Sequence, residues 1–151
     1  MRKYKGNAKN IPANPDAVFL PYQEKWVNDK SRLKGMEKSR QIGISWSSAY
    51  PAVERTASAG ARWDQWVSSR DEIQARLFLE DCKMWAKVFD IVAQDMGEVV
   101  IDKKKDLTAL KLLFSTGKSI YSMSSNPDAQ AGKRGARLLD EFALLRDPRM
   151  M

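Results

Sequence analysis

The chain has 151 residues, of which 43% are hydrophobic and 30% charged, and this composition predicts one globular domain with a modest core. It contains one cysteine, Cys82, and no histidine, which excludes an intrachain disulfide, a histidine-based triad and the common Cys/His zinc or haem sites. Lysine and arginine outnumber the acids by 26 to 19, and the net charge of +7 attracts phosphate without identifying a partner.

Most of the excess charge lies at the front, where residues 1–40 hold ten Lys or Arg and four Asp or Glu. Residues 1–16 lack apolar periodicity and predict a flexible basic arm ahead of a domain over 17–151. No apolar run is long enough to span a membrane and no signal core follows Met1, so a cytoplasmic location without membrane contact is expected. In that reducing compartment, Cys82 is expected to be a core residue.

The elements predicted after the arm begin with two short ones. Apolar spacing predicts an amphipathic helix over 22–27, and residues 33–36 have the pattern of a weak strand. A second helix is predicted from Ser45 toward Ala59, with Gly60 as its C-cap. Pro51 is expected to kink this helix or to end it early.

The second half of the chain alternates between strands and helices. A strand over 65–69 leads into the clearest helix, over 71–89, whose predicted apolar stripe is Leu77, Phe78, Met84, Trp85, Val88 and Phe89. Further strands are predicted over 98–101, 109–114, 120–123 and 137–139, and the middle two are expected to form a hairpin. This alternation predicts an α/β domain with a largely parallel sheet flanked by helices.

Two segments compete for the role of a phosphate-binding loop, which requires backbone N–H groups at a helix start, a cation and a hydroxyl for magnesium. The segment 115–119 contains Gly117-Lys118-Ser119, the ending of the standard pattern. Leu112 stands where the first glycine should be, and a strand pattern follows instead of a helix. A β-turn is therefore predicted there.

The other segment is KSRQIGIS, from Lys38 to Ser45, which precedes a helical stretch. Gly43 and Ser45 occupy the late glycine and hydroxyl positions, Ile44 replaces the usual lysine, and Lys38 stands where the first glycine would be. A long lysine side chain at the start of the loop can still reach the phosphates. Taken alone, the pattern fits a solvated loop before a helix equally well.

Three segments in order, LPYQEKWV, KSRQIGIS and SNPDAQAGKRGARLLDEFALL, resemble the ATPase domain of tailed-phage terminase large subunits, close to the Mu-like branch. The resemblance runs from about Phe19 to Asp147. It implies a P-loop NTPase fold of the RecA/ASCE type, with ATP and Mg2+ as cofactors. Helicase-like P-loop ATPases are an alternative, but they usually keep a lysine beside the Ser/Thr, so Ile44 argues against them.

The resemblance also implies roles for individual residues. The variant Walker A motif would contain Lys38, which is expected to bind nucleotide and to act in catalysis, and Ser45, which would hold magnesium. Asp140 and Glu141 resemble the Walker B ending, in which Asp140 holds magnesium and Glu141 activates the attacking water. Recognition of adenine and of the phosphates would fall to Gln23, Ser39, Arg40, Gln41, Ile42, Gly43 and Ile44.

Two arginines do not follow this assignment cleanly. Arg137 interrupts the apolar strand expected before Asp140. Arg70 follows the strand over 65–69 and could approach the ligand crevice, but a role in the strand-to-helix connection explains it equally well.

The function implied by the resemblance is a motor domain that packages viral DNA in the host cytoplasm, encoded by a virus or prophage. The implied partners are double-stranded DNA, the terminase small subunit, the portal protein and, in the full-length protein, further copies in a homo-oligomeric ring. Only six residues follow Leu145, so a truncated chain is expected, with a C-terminally incomplete sheet and no nuclease domain or nuclease activity. ATP hydrolysis stays open, and the alternative is a non-catalytic remnant that binds DNA or partner subunits.

Overall fold

The structure, a computed structural model, describes residues 18–39, 41–124 and 132–140. Its elements in chain order are α1 (Pro21–Asn28), α2 (Ile44–Ala57), β1 (Gln65–Ser69), α3 (Glu72–Val88), β2 (Ala93–Asp102), β3 (Leu107–Phe114), β4 (Ser119–Ser124) and β5 (Ala136–Leu139). The basic arm predicted over 1–16 lies outside the described residues. Of the helices that are described, none is long and apolar enough to cross a membrane.

The five strands form one mixed sheet in the order β2-β3-β4-β1-β5. β1 runs parallel to its neighbours β4 and β5, whereas β2, β3 and β4 pair antiparallel. The α/β class and the hairpin are confirmed, but the prediction of a largely parallel sheet is wrong for these strands. The physical reason is that four-residue turns join β2 to β3 and β3 to β4, and such turns are too short for the crossover that parallel neighbours require.

The strand predicted over 33–36 is wrong, because these residues pair with no strand of the described sheet. Leu33 is 91% exposed, so it contributes no apolar contact that would hold a strand in place. Lys34 instead attaches the segment to α1, since its Nζ donates to Trp26 O at 2.6 Å and lies 4.3 Å from the centre of the Trp26 ring. Side-chain contacts rather than a backbone ladder therefore position this segment.

The helix α2 continues through Pro51 to Ala57, so the expected early end is wrong. A proline inside a helix removes one backbone hydrogen bond at a cost of about 3 kcal/mol. Ala49, Tyr50 and Val53 around it are buried in the core, and their packing offsets that loss. The predicted cap at Gly60 is also wrong, since α2 ends at Ala57 and its C-cap is Ser58, whose N and Oγ both donate to Glu54 O.

The helix α3 confirms the clearest sequence prediction. Asp71 caps its first turn by accepting a hydrogen bond from Gln74 N at 2.9 Å. Cys82 is fully buried as predicted, and burial raises the pKa of its thiol. Two members of the predicted apolar stripe, Leu77 and Met84, are exposed because they lie roughly opposite the buried face, which consists of Ala75, Phe78, Leu79, Cys82, Trp85 and Ala86.

The main core lies between the three helices and one face of the sheet. Trp85 is at its centre, with ring centroids 4.8 Å from Trp46, 5.2 Å from Tyr50 and 5.5 Å from Phe19. The Trp85 indole also donates to Trp46 O at 3.0 Å. These contacts fix the first turns of α2 against α3, and that arrangement positions the loop that precedes α2.

Asp81 lies on α3 between Phe78 and Trp85, one turn away on either side, and burial raises its pKa from 3.8 to about 6. The folded chain therefore holds this proton more tightly than the unfolded chain, and the stability gained is complete below pH 4 and is lost as the pH rises through 6. We expect Asp81→Asn to remove that slope and to raise the free energy of unfolding at pH 7 by about 1 kcal/mol after discounting for solvent screening. Urea unfolding of both chains between pH 4 and 8 measures the free energy of unfolding. The same decrease with pH in Asp81→Asn would contradict the expectation.

Candidate functional site

The loop from Lys38 to Gly43 delivers the chain to the start of α2. Gln41 and Gly43 have φ angles of +57° and +71°, in the left-handed region that turns the backbone sharply. Gly43 is the N-cap of α2 and provides no side chain to cap the helix. The first N–H groups of α2 are thus without a side-chain cap from that position, and such groups favour an anion.

Gln23 of α1 is hydrogen-bonded to the backbone of this loop. It is 5% exposed, and its Nε2 donates to Ile42 O at 3.0 Å and to Gly43 O at 3.3 Å, while its Oε1 accepts from Leu20 N at 3.0 Å. Tyr22 Oη also donates to Ile42 O, at 2.7 Å. The amide assigned by resemblance to adenine therefore supports the loop in this structure, and adenine recognition by Gln23 stays a prediction.

Gly43→Ala is expected to destabilise the chain by about 1–2 kcal/mol, because an L-residue is strained in the left-handed region. The added Cβ would lie 2.7 Å from Gln23 Nε2 and would push that amide away from the loop carbonyls. Gly35→Ala is the matched control, since no atom lies within 4 Å of its Cβ position. Urea unfolding compares the two variants, and equal midpoints would contradict the expectation.

The side chains of Lys38 and Ser45 meet at the carboxylate of Asp140, which lies 95 residues after Ser45. Lys38 Nζ lies 3.3 Å from Asp140 Oδ1, and Ser45 Oγ donates to Asp140 Oδ2 at 2.5 Å. The Lys38 and Asp140 side chains are 20% and 12% exposed. The backbone N–H of Asp140 donates to Ser68 O at 2.9 Å, which fixes the carboxylate beside the end of β1.

This cluster lies at the carboxyl ends of the parallel strands β1 and β5. In open α/β sheets, ligands bind in the crevice outside that edge. A lysine amine attracts phosphate as a point charge, and hydroxyl and carboxylate oxygens are ligands that magnesium prefers. Lys38, Ser45 and Asp140 therefore fit a magnesium-bound phosphate.

The described residues contain no group of three or more acidic, histidine or cysteine side chains that could hold a metal by themselves. A magnesium ion at Ser45 and Asp140 would consequently need phosphate and water oxygens as its other ligands, which is its usual situation in nucleotide sites.

The remaining loop residues differ in exposure. Ser39 and Gln41 are exposed, whereas Ile44 is only 5% exposed as the first residue of α2. The position that usually carries the lysine of a phosphate loop is thus occupied by a buried apolar side chain. Arg40 and Glu141 lie outside the described residues, so their roles stay predictions.

The segment 115–119 forms the hairpin turn between β3 and β4, as predicted. Phe114 N donates to Lys118 O and Gly117 N to Phe114 O, each at 3.0 Å, and Gly117 has a φ of +76°. Lys118 leads into a strand rather than a helix, which is incompatible with the geometry of a phosphate loop.

Arg70 and Arg137, the two arginines that the resemblance leaves without a clear role, both make hydrogen bonds within the fold. Arg70 Nε donates to Asp71 Oδ2 at 2.9 Å at the start of α3, and both side chains are more than a third exposed. Arg137 donates to Lys133 O at 2.9 Å and is exposed on β5. Because β5 is an edge strand of the described sheet, it accommodates a charged residue there.

Sequence reasoning missed Tyr22 and Ser69. The apolar spacing over 22–27 predicts only a packing role for Tyr22, but its hydroxyl donates to Ile42 O in the loop. Ser69 ends β1 with 1% exposure, and its hydroxyl has no hydrogen-bond partner. The available signal was a pair of serines at the end of the strand predicted over 65–69.

Comparison with known proteins gives two relatives. The chain is 37% identical over 137 residues to the Mu-like prophage FluMu protein gp28 of Haemophilus influenzae, a match covering 88% of this chain and 27% of that protein. It is 32% identical over 136 residues to the probable terminase large subunit gp28 of Escherichia phage Mu, covering 85% of this chain and 24% of that protein. No family model matches, and no solved structure matches.

These relatives confirm the resemblance to the Mu-like branch that the three sequence segments carry. The matched region includes most of the described elements, since it covers more than four fifths of the chain. The chain is therefore homologous to Mu-like terminase large subunits of the gp28 type, and it spans about a quarter of the length of the curated relatives it matches.

Proposed function

We propose that the chain is an ATP-binding and ATP-hydrolysing motor domain with a P-loop NTPase fold, in a terminase large subunit that packages viral DNA. The observation that carries the proposal is the convergence of Lys38 and Ser45 on Asp140, which lies 95 residues after Ser45 in the sequence. A cation, a hydroxyl and a carboxylate at the carboxyl edge of parallel strands form the minimum set for a magnesium nucleotide.

Each residue of the site has a distinct role in this proposal. Lys38 binds the terminal phosphates, and the backbone N–H groups between Ser39 and Ile44 surround them. Ser45 and Asp140 hold magnesium, which neutralises phosphate charge when bound. Glu141, the neighbour of Asp140 in the chain, orients the attacking water and accepts its proton.

The name of one relative and the charge of the chain support the partners that we propose. The phage Mu relative is described as a probable terminase large subunit. We accordingly assign double-stranded DNA, a terminase small subunit, a portal protein and further copies in a ring as partners, in the host cytoplasm. The net charge of +7 favours contact with the DNA backbone.

Calorimetric titration of the folded chain with ATP, with and without Mg2+, tests the proposal, and phosphate release is followed in the same samples. Magnesium-dependent binding together with phosphate release is expected. Binding without release would favour the non-catalytic alternative, and a folded chain that binds no ATP would overturn the nucleotide site.

A further inference from the structure

Ser69 presents a buried hydroxyl that the fold itself does not use. Among buried side-chain polar atoms of the described residues, its Oγ is the one without a hydrogen-bond partner. Leaving such a group unsatisfied costs about 1–3 kcal/mol, and buried polar groups are usually bonded. Three other buried hydroxyls, those of Ser47, Thr56 and Ser122, all donate to backbone carbonyls, which makes Ser69 an exception.

The sheet register places Ser69 next to Asp140. β1 and β5 are parallel, and the last registered pair is Ser68 with Leu139, so Ser69 and Asp140 are the next neighbours across the sheet. Alternation along β1 directs Ser69 to the same face as Val67, which belongs to the main core beneath the helices. Leu138 of β5 packs against the same core, and Asp140, two residues later, lies on the same face of the sheet.

The present partners of Asp140 are the groups that a magnesium nucleotide requires. Lys38 occupies one carboxylate oxygen and Ser45 the other. If Lys38 binds phosphate and Ser45 binds magnesium, Asp140 loses both donors and would hold magnesium in their place. A carboxylate that holds a metal is usually itself hydrogen-bonded, so Asp140 would need another donor to keep its orientation.

We propose that Ser69 is a positioning residue, whose hydroxyl donates to Asp140 when Lys38 and Ser45 engage the magnesium nucleotide. This inference rests on the proposed function, because it needs the nucleotide to take over both partners of Asp140. It explains why an unsatisfied hydroxyl is retained at the end of β1, where alanine would fill the strand position without that cost.

The test measures ATP affinity with and without Mg2+, together with the thermal midpoint, for the 151-residue chain and three variants. Ser69→Ala is expected to weaken the affinity for ATP in the presence of Mg2+ about tenfold, which is the effect of losing one hydrogen bond to a charged group. The affinity without Mg2+ is expected to stay unchanged, and the thermal midpoint is not expected to fall. Ser69→Thr, which keeps the hydroxyl, is expected to retain the magnesium dependence. Ser122→Ala is the matched control, because it removes a buried hydroxyl that donates to Ala75 O at 2.7 Å.

The outcomes separate the two proposals. Ser122→Ala is expected to lower the midpoint without changing the ratio of affinities with and without Mg2+, which identifies a purely structural effect. If the unmodified chain binds magnesium ATP and Ser69→Ala binds it equally well, the role of Ser69 is overturned and the proposed function stands. If the folded unmodified chain binds no magnesium ATP, both are overturned.

Discussion

Lys38→Ala is expected to reduce magnesium-dependent ATP binding by about 10- to 100-fold, since it removes charge-assisted hydrogen bonds worth about 1.5–3 kcal/mol. Lys118→Ala is expected to leave binding unchanged, because Lys118 belongs to a hairpin turn that leads into β4. The two variants remove the same charge from the same chain. Only position relative to the Asp140 carboxylate distinguishes them, and Lys38 is 3.3 Å from it.

Calorimetry on both variants decides between the two lysines, with circular dichroism as the check that each is folded. Lys38→Ala also leaves Asp140 without its cation, so the free energy of unfolding is measured alongside. Lys38→Arg keeps that charge but not the compact amine, and it separates pairing with Asp140 from phosphate binding. Binding that is lost only in Lys118→Ala would overturn the site.

Trp85→Ala is expected to lower the free energy of unfolding by about 3–5 kcal/mol, the usual cost of removing a large buried aromatic side chain. Trp85 is 1% exposed, contacts the rings of Trp46 and Tyr50, and donates its indole N–H to Trp46 O. Because Trp46 follows Ser45 directly in the first turn of α2, the cavity would also loosen the start of that helix. Nucleotide affinity is expected to fall together with stability.

Trp63→Ala is the matched control for this experiment, because Trp63 is 54% exposed and belongs to neither hydrophobic cluster. It is expected to change the unfolding free energy by less than about 0.5 kcal/mol. Urea unfolding followed by far-ultraviolet circular dichroism compares the two without depending on tryptophan fluorescence. Equal losses in both variants would contradict the central position of Trp85 in the core.

The candidate residues could be named from the sequence because each lies in a short local segment. The order of Lys38, Gly43 and Ser45 before a helix is compatible with a phosphate loop, and the resemblance to terminase large subunits implies that Asp140 is a metal ligand. Their meeting at one carboxylate depends on a contact across about a hundred residues, which no local pattern specifies. The sequence also did not predict the hydrogen bonds from Gln23 to the loop, since they connect α1 to carbonyl oxygens about twenty residues away.

The sequence by itself determined the elements whose signals are local. The α3 helix, the β3-β4 hairpin and the burial of Cys82 all follow from periodicity, turn chemistry and residue type within a few positions. Tertiary structure alone decided the mixed order of the sheet, the continuation of α2 through Pro51 and the absence of a strand over 33–36. Those outcomes depend on long-range packing and strand pairing, whose free energies exceed the local preferences of the residues involved.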